Sequence, residues 1–186
     1  MNAPIIWMMG GPGSGKGTQT QKIAQKYGYT HIDPVELVDY EMSAKTKIGE
    51  KFTNMQTAGN TVPLLEIIPL IKHQMITHRN NKGSVIDGYP ADLEEANILE
   101  DKLGPPSKII ALELREEVGN RRSSQSSTAS RPSYSEYVSA SRPVIQRYAD
   151  ITLIVNGDQE PERVFDEIQA NMDRFVRHRS KLSVTR

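Results

Sequence analysis

The chain of 186 residues contains no cysteine. That excludes a disulfide framework, cysteine-ligated zinc or iron–sulfur sites, and thiol catalysis. Charge of one sign is not in excess either: 23 lysines and arginines face 23 aspartates and glutamates, a formal net charge of zero. A non-specific nucleic-acid binder carries a clear basic surplus, so no nucleic-acid partner is expected. Nowhere do about 18 apolar residues run together, so no spanning helix and no membrane partner are expected. The N-terminal stretch has no charged segment leading into a long apolar run, so no secretory signal is expected. Aromatic residues make up 6% and apolar residues 37%, low values that still suffice for one core. A cytoplasmic single domain over residues 1–186 is the expectation that remains.

What is present is alternation. Short apolar runs occupy residues 5–9, 84–87, 108–114 and 151–155, with a weaker one at 29–32. Runs apolar on both faces suit buried parallel strands. Helix-length segments separate them: 18–27, then 62–78 with Ile67, Ile68, Ile71 and Met75 on one face, then 92–103, closed by Gly104-Pro105-Pro106. Residues 161–176 place Val164, Phe165, Ile168 and Met172 on one stripe. The pattern predicts an α/β fold with a five-stranded parallel sheet flanked by helices. Pro69 predicts a kink or break within 62–78. Residues 119–135 (GNRRSSQSSTASRPSYS) are too polar to bury a face, which predicts a mobile loop or disordered insert.

The first run ends in Gly10-Gly11-Pro12-Gly13-Ser14-Gly15-Lys16-Gly17-Thr18, which opens the first helix. Glycines at these places let the backbone approach a polyphosphate, and successive N–H groups at a helix N-terminus cradle the anion. Lys16 adds a point charge for the terminal phosphates. An ordinary glycine-rich turn is the plain alternative; lysine, spacing, strand and helix together favour the phosphate loop. In the common version a Ser or Thr follows the lysine and binds Mg²⁺, whereas here Gly17 intervenes before Thr18.

The full run GGPGSGKGTQ resembles the loop of the adenylate kinase family of nucleoside-monophosphate kinases. The likeness continues through Gln25-Lys26-Tyr27-Gly28-Tyr29, Thr61-Val62-Pro63-Leu64, Ile86-Asp87-Gly88-Tyr89-Pro90 and Pro143-Val144-Ile145, nearly the whole chain, and most resembles the short-lid cytosolic members. It implies a P-loop NTPase-like core, phosphoryl transfer from ATP·Mg²⁺ to AMP giving two ADP, a helical NMP-binding segment at about 33–61, and a lid at about 119–135. It also implies a monomer. By position, Gly11, Gly13, Ser14, Gly15, Lys16, Gly17 and Thr18 would hold ATP phosphates, with Lys16 and Arg131 in catalytic roles. Asp87 would hold Mg²⁺ through water, although an acid after a strand can equally be a helix cap. Arg122 would flank the ATP base, and Gly59 and Val62 would meet the AMP base.

The resemblance breaks where positive charge is needed. The AMP-phosphate arginines fall on Asp39 and Ala91, the base-reading glutamine on Glu95, and a threonine near the base on Pro34. The lid is shortened, and two of its arginines fall on Ser126 and Ser133; by resemblance Arg131 stands for one lid arginine, with Pro132 and Ser133 in place of paired acids. One charge-stabilising arginine is worth roughly 10³–10⁵ in rate. The expectation is therefore an ATP-binding protein whose transfer to AMP is strongly impaired or lost, with a protein partner. An active atypical kinase for another acceptor, using Lys16, Arg122, Arg131 and Arg115 or Arg121, and a structural interaction module remain as alternatives.

Other signals are plainer. His31, His73, His78 and His178 show no metal-ligand pairing and read as surface or helix histidines. Trp7 reads as core. Residues 174–186 hold Arg174, Arg177, His178, Arg179, Lys181 and Arg186, read as a solvated helix end and tail, with a partner-docking or anionic-lipid patch as the alternative. Arg121-Arg122-Ser123-Ser124 offers basic residues ahead of a serine, a short match to a phosphorylation site.

Overall fold

The computed structural model describes residues 3–77, 82–124 and 133–184. In chain order the elements are β1 (Ile5–Gly10), α1 (Lys16–Tyr27), β2 (Thr30–Ile32), α2 (Pro34–Ser43), α3 (Lys47–Thr57), α4 (Leu64–Thr77), β3 (Ser84–Asp87), α5 (Leu93–Leu103), β4 (Lys108–Glu113), α6 (Glu116–Ser124), α7 (Tyr134–Arg147), a 3₁₀ turn (Ala149–Ile151), β5 (Thr152–Asn156) and α8 (Pro161–Val184). The five strands form one parallel sheet in the order β2-β3-β1-β4-β5.

β1 lies in the middle and is buried along its whole length. Its side chains alternate between the faces. Ile5, Trp7 and Met9 join a core with Phe52 of α3, Ile67, Ile68 and Ile71 of α4, Leu99 of α5 and Val144 of α7. Ile6 and Met8 join the opposite core, with Ile23 of α1 and Val164, Ile168 and Met172 of α8. Helices thus cover both faces, which is why the strands read as continuous apolar runs rather than alternating ones. Trp7 is core, as expected.

Two expectations are corrected. Of the kink or break expected at Pro69, the break is absent: α4 runs on from Leu64 to Thr77. A proline removes one hydrogen bond to the carbonyl four residues back. Here that carbonyl belongs to Leu65, and both residues lie on the exposed side, where water can satisfy it. Residues 119–135 are not one loop. Residues 119–124 complete α6, and Ser133 caps α7, its hydroxyl and backbone exchanging hydrogen bonds with Glu136. Tyr134, which begins α7, is 2% exposed. The middle of the segment, 125–132, lies outside the described residues.

Candidate functional site

The end of β1 feeds a tight turn in which the Ser14 N–H donates to the Gly11 carbonyl at 3.1 Å. Gly15 then caps α1 with φ 84°, a left-handed conformation that favours glycine, and supplies no side-chain cap. No acid occupies the first turn of α1. The N-terminal, positive end of that helix therefore opens onto the turn. A Cβ at Gly15 would meet nothing within 4 Å, so the space above it is free. Ser14 is 3% exposed and its Oγ is buried without a hydrogen-bond partner. Gly13, Gly15, Gly17 and Thr18 face outward.

The exit of β3 closes one side of the turn. A Cβ on Gly88 would lie 3.2 Å from Lys16 Cε, and one on Gly17 would lie 3.6 Å from Asp87 Oδ2. The loop lysine and the Asp87 carboxylate are thus brought to one place, and Asp87 is only 5% exposed. His31 Nε2 sits 2.9 Å from the same Oδ2. That hydrogen bond raises the His31 pKa above its ordinary 6.5, against the opposing effect of burial. His31 is therefore neither a surface nor a helix histidine: it belongs to β2 and is half-buried against Asp87. Asp87 spends its contact on this neighbour and not on a helix cap. No spacing in the sequence reveals the pairing, because it depends on β2 lying beside β3.

The other side is closed by α6 and α7. Arg122 Nη1 donates to the Gly13 carbonyl at 3.1 Å and reaches the Gly157 carbonyl, after β5, at 3.5 Å. Tyr134 and Tyr137 lie on Gly11, where an added Cβ would stand 2.7 and 2.9 Å from their rings. The Tyr134 hydroxyl accepts from the Leu114 N–H and donates to the Leu114 carbonyl, pinning α7 to the end of β4. Arg115 Nε is paired with Asp158 Oδ2 at 2.7 Å. Beside them an open cleft of about 500 Å³ runs along β4 and β5, lined by Glu113, Leu114, Arg115, Ile154, Asn156, Asp158 and Gln159.

The remaining candidates lie on other elements. Gly59 and Val62 belong to the connection between α3 and α4, Gly59 with φ 79° and Val62 partly packed on the core. Asp39 is exposed on α2, whose cap is Asp33 with Pro34 in the first turn. The Glu95 N–H donates to the carboxylate of Asp92, the cap of α5, and the Glu95 carboxylate in turn accepts from the Ala91 N–H at 2.7 Å. Burial raises the Glu95 pKa, partly offset by the Ala91 N–H. Burial also pushes the nearby Tyr89 phenol up to about 12, with Glu95 and Asp33 adding to it. Ser133 is occupied as a helix cap. Ser126 and Arg131 lie outside the described residues. Among the described residues no group of three or more His, Asp or Glu side chains could hold a metal by itself.

A family model described as "Adenylate kinase" matches residues 8–153. Adenylate kinase isoenzyme 1 of Homo sapiens is 32% identical over 182 residues, covering 91% of this chain and 94% of that protein. The Gallus gallus isoenzyme 1 is 31% identical over 184 residues, covering 92% and 95%. Adenylate kinase isoenzyme 5 of Mus musculus is 32% identical over 182 residues, but the match spans 32% of that longer protein. With the parallel sheet and the glycine turn ahead of α1 already in place, these matches lead to one statement: the chain belongs to the adenylate kinase family.

Proposed function

We propose that the chain binds ATP·Mg²⁺ at the turn between β1 and α1, and that its transfer of a phosphoryl group to AMP is strongly impaired or lost. Nucleotide binding and phosphoryl transfer are what the family relationship supports in general. The residues present fit a triphosphate. Ser14 has a buried hydroxyl without a partner, α1 opens with an uncapped N-terminus, and the space over Gly15 is free. In this reading Gly11, Gly13, Ser14, Gly15, Lys16, Gly17 and Thr18 hold the phosphates, and Arg122 flanks the base. Asp87, buried beside Gly17, would hold Mg²⁺ through water. Bound there, the ion would neutralise charge on the phosphates.

The observation that carries the second half of the proposal is the Glu95–Ala91 contact. Where the acceptor phosphate needs cations, this side presents Ala91, a carboxylate turned onto its N–H, and the exposed Asp39. Phosphoryl transfer relies on positioning and positive charge, so such replacements act on the reaction directly. Gly59 and Val62 would still line the acceptor base. A second reading, an active kinase for another acceptor, draws on the complete phosphate turn and on Arg122 held beside it.

The test is ADP formation from ATP·Mg²⁺ with AMP, UMP, CMP or GMP, against Lys16→Ala as the contamination control. No rate above the variant, with an ATP-dependent rise in melting temperature that Lys16→Ala loses, supports the proposal. Turnover of AMP at ordinary kinase rates overturns it. Turnover of another acceptor alone establishes the second reading.

A further inference from the structure

The molecule is neutral as a whole, but its charge is segregated. Residues 174–186 hold no acid, but they hold Arg174, Arg177, Arg179, Lys181 and Arg186. Arg174, Arg177, His178 and Lys181 are three or four residues apart, so they form one stripe along α8, and all four are exposed. The stripe is extended by cations from other elements. Lys108, at the start of β4, and Arg179 flank the Phe175 ring at 6.0 and 5.7 Å from its centre. Lys82 reaches the same end of the sheet, its Cδ lying 3.4 Å from where a Cβ on Gly28 would stand. The Lys108 pKa is lowered, chiefly by burial and further by Arg174.

Lys82, Lys108, Arg174 and Arg177 take part in none of the ion pairs among the described residues. Asp173, next in the chain to Arg174, accepts a hydrogen bond from the Tyr27 hydroxyl at 2.7 Å. Crowding like charges disfavours the isolated protein, and an external anion relieves it. All these groups sit at the N-terminal ends of the strands, whereas the phosphate turn follows the C-terminal end of β1. The two regions are separated by the length of that strand, about 15–20 Å.

We propose that this basic end of the molecule docks on a membrane surface of anionic phospholipid. The stripe lies on the exposed side of α8, where a plane of charge can meet all four side chains at once. A half-buried aromatic ring stands among the cations. Clusters of this size on a helix attract anionic headgroups through the sum of many modest attractions. No helix among the described residues is long and apolar enough to cross a membrane, so the contact is peripheral.

The experiment is co-sedimentation of the full chain with vesicles of phosphatidylcholine alone and of phosphatidylcholine mixed with phosphatidylserine. Binding to the mixed vesicles only, weakened by added salt, is expected. The triple variant Arg174→Gln, Arg177→Gln, Lys181→Gln should bind the mixed vesicles about a hundredfold more weakly. The same variant should keep its melting temperature and its ATP-dependent shift, since glutamine suits a helix and the positions are exposed. Equal binding to both vesicle types, or undiminished binding by the triple variant, overturns the proposal. So does capture of soluble polyglutamate without vesicle binding, which would assign the surface to an acidic protein instead.

Discussion

His31 Nε2 and Asp87 Oδ2 meet at 2.9 Å across two adjacent strands. The register explains why: His31 pairs with Val85, and residues two apart on a strand share a face, so Asp87 projects to the same side as His31. Asp87 is nearly buried while the His31 side chain keeps 30% of its exposure. Removing the imidazole leaves a buried carboxylate short of a donor. His31→Ala should cost about 1–3 kcal/mol in urea unfolding. Combined with Asp87→Asn, the loss should be smaller than the two single losses added together. Strict additivity would show that the two groups are not coupled.

Tyr134 depends on the absence of a side chain at Gly119, where a Cβ would lie 2.3 Å from its ring. Gly119→Ala should therefore destabilise by about 1–3 kcal/mol through overpacking. In a Tyr134→Ala background the same change should cost far less. Tyr134→Phe keeps the ring but strands the Leu114 N–H, at a cost of about 1–3 kcal/mol. A thermal melt that leaves Tyr134→Phe at the parent value would show that the hydroxyl pins nothing.

The Glu95 carboxyl has a folded-state pKa above its ordinary 4.5, chiefly because of burial. The folded protein then holds that proton more tightly than the unfolded chain does. As pH rises through this window, the parent should lose stability relative to Glu95→Gln, which cannot ionise. Melting curves of the two proteins between about pH 4 and 7 check the sign. A difference that does not change with pH would contradict the burial of this group as a charge.

If missing cations limit transfer to AMP, supplying them should raise it. Asp39→Arg with Ala91→Arg should increase AMP-dependent ADP formation at least about tenfold, a small part of what a well-placed arginine contributes. An unchanged rate, with ATP still raising the melting temperature, would locate the defect elsewhere.

Much of this architecture is legible in the order of residues. Strands buried on both faces leave continuous apolar runs, so Ile5, Trp7 and Met9 and their even-numbered neighbours announce β1 directly. The glycine turn is legible because its chemistry is local. What the chain order hides is what depends on neighbours in space. The serine-rich composition around 119–135 conceals the start of α7, where one tyrosine supplies the buried surface and one serine the cap. Glu95 and Ser133 look like mere losses of function in sequence, yet Glu95 holds the N–H of Ala91 just ahead of α5 and Ser133 caps α7. The His31–Asp87 contact stays hidden because it requires knowing which strands are adjacent.

The place of β1 in the sheet bears on how the protein is made. It is translated ahead of β3 and β4, yet Ile5 pairs with Ser84 and Ile6 with Lys108. Until β4 has been synthesised, Trp7, Met8 and Met9 have no complete sheet to enter, and the apolar middle of the fold must wait unpaired while its neighbours are translated. A nascent chain stalled before Glu113 would therefore present that strand to chaperones, and its release would depend on elongation rather than on any event near the N-terminus.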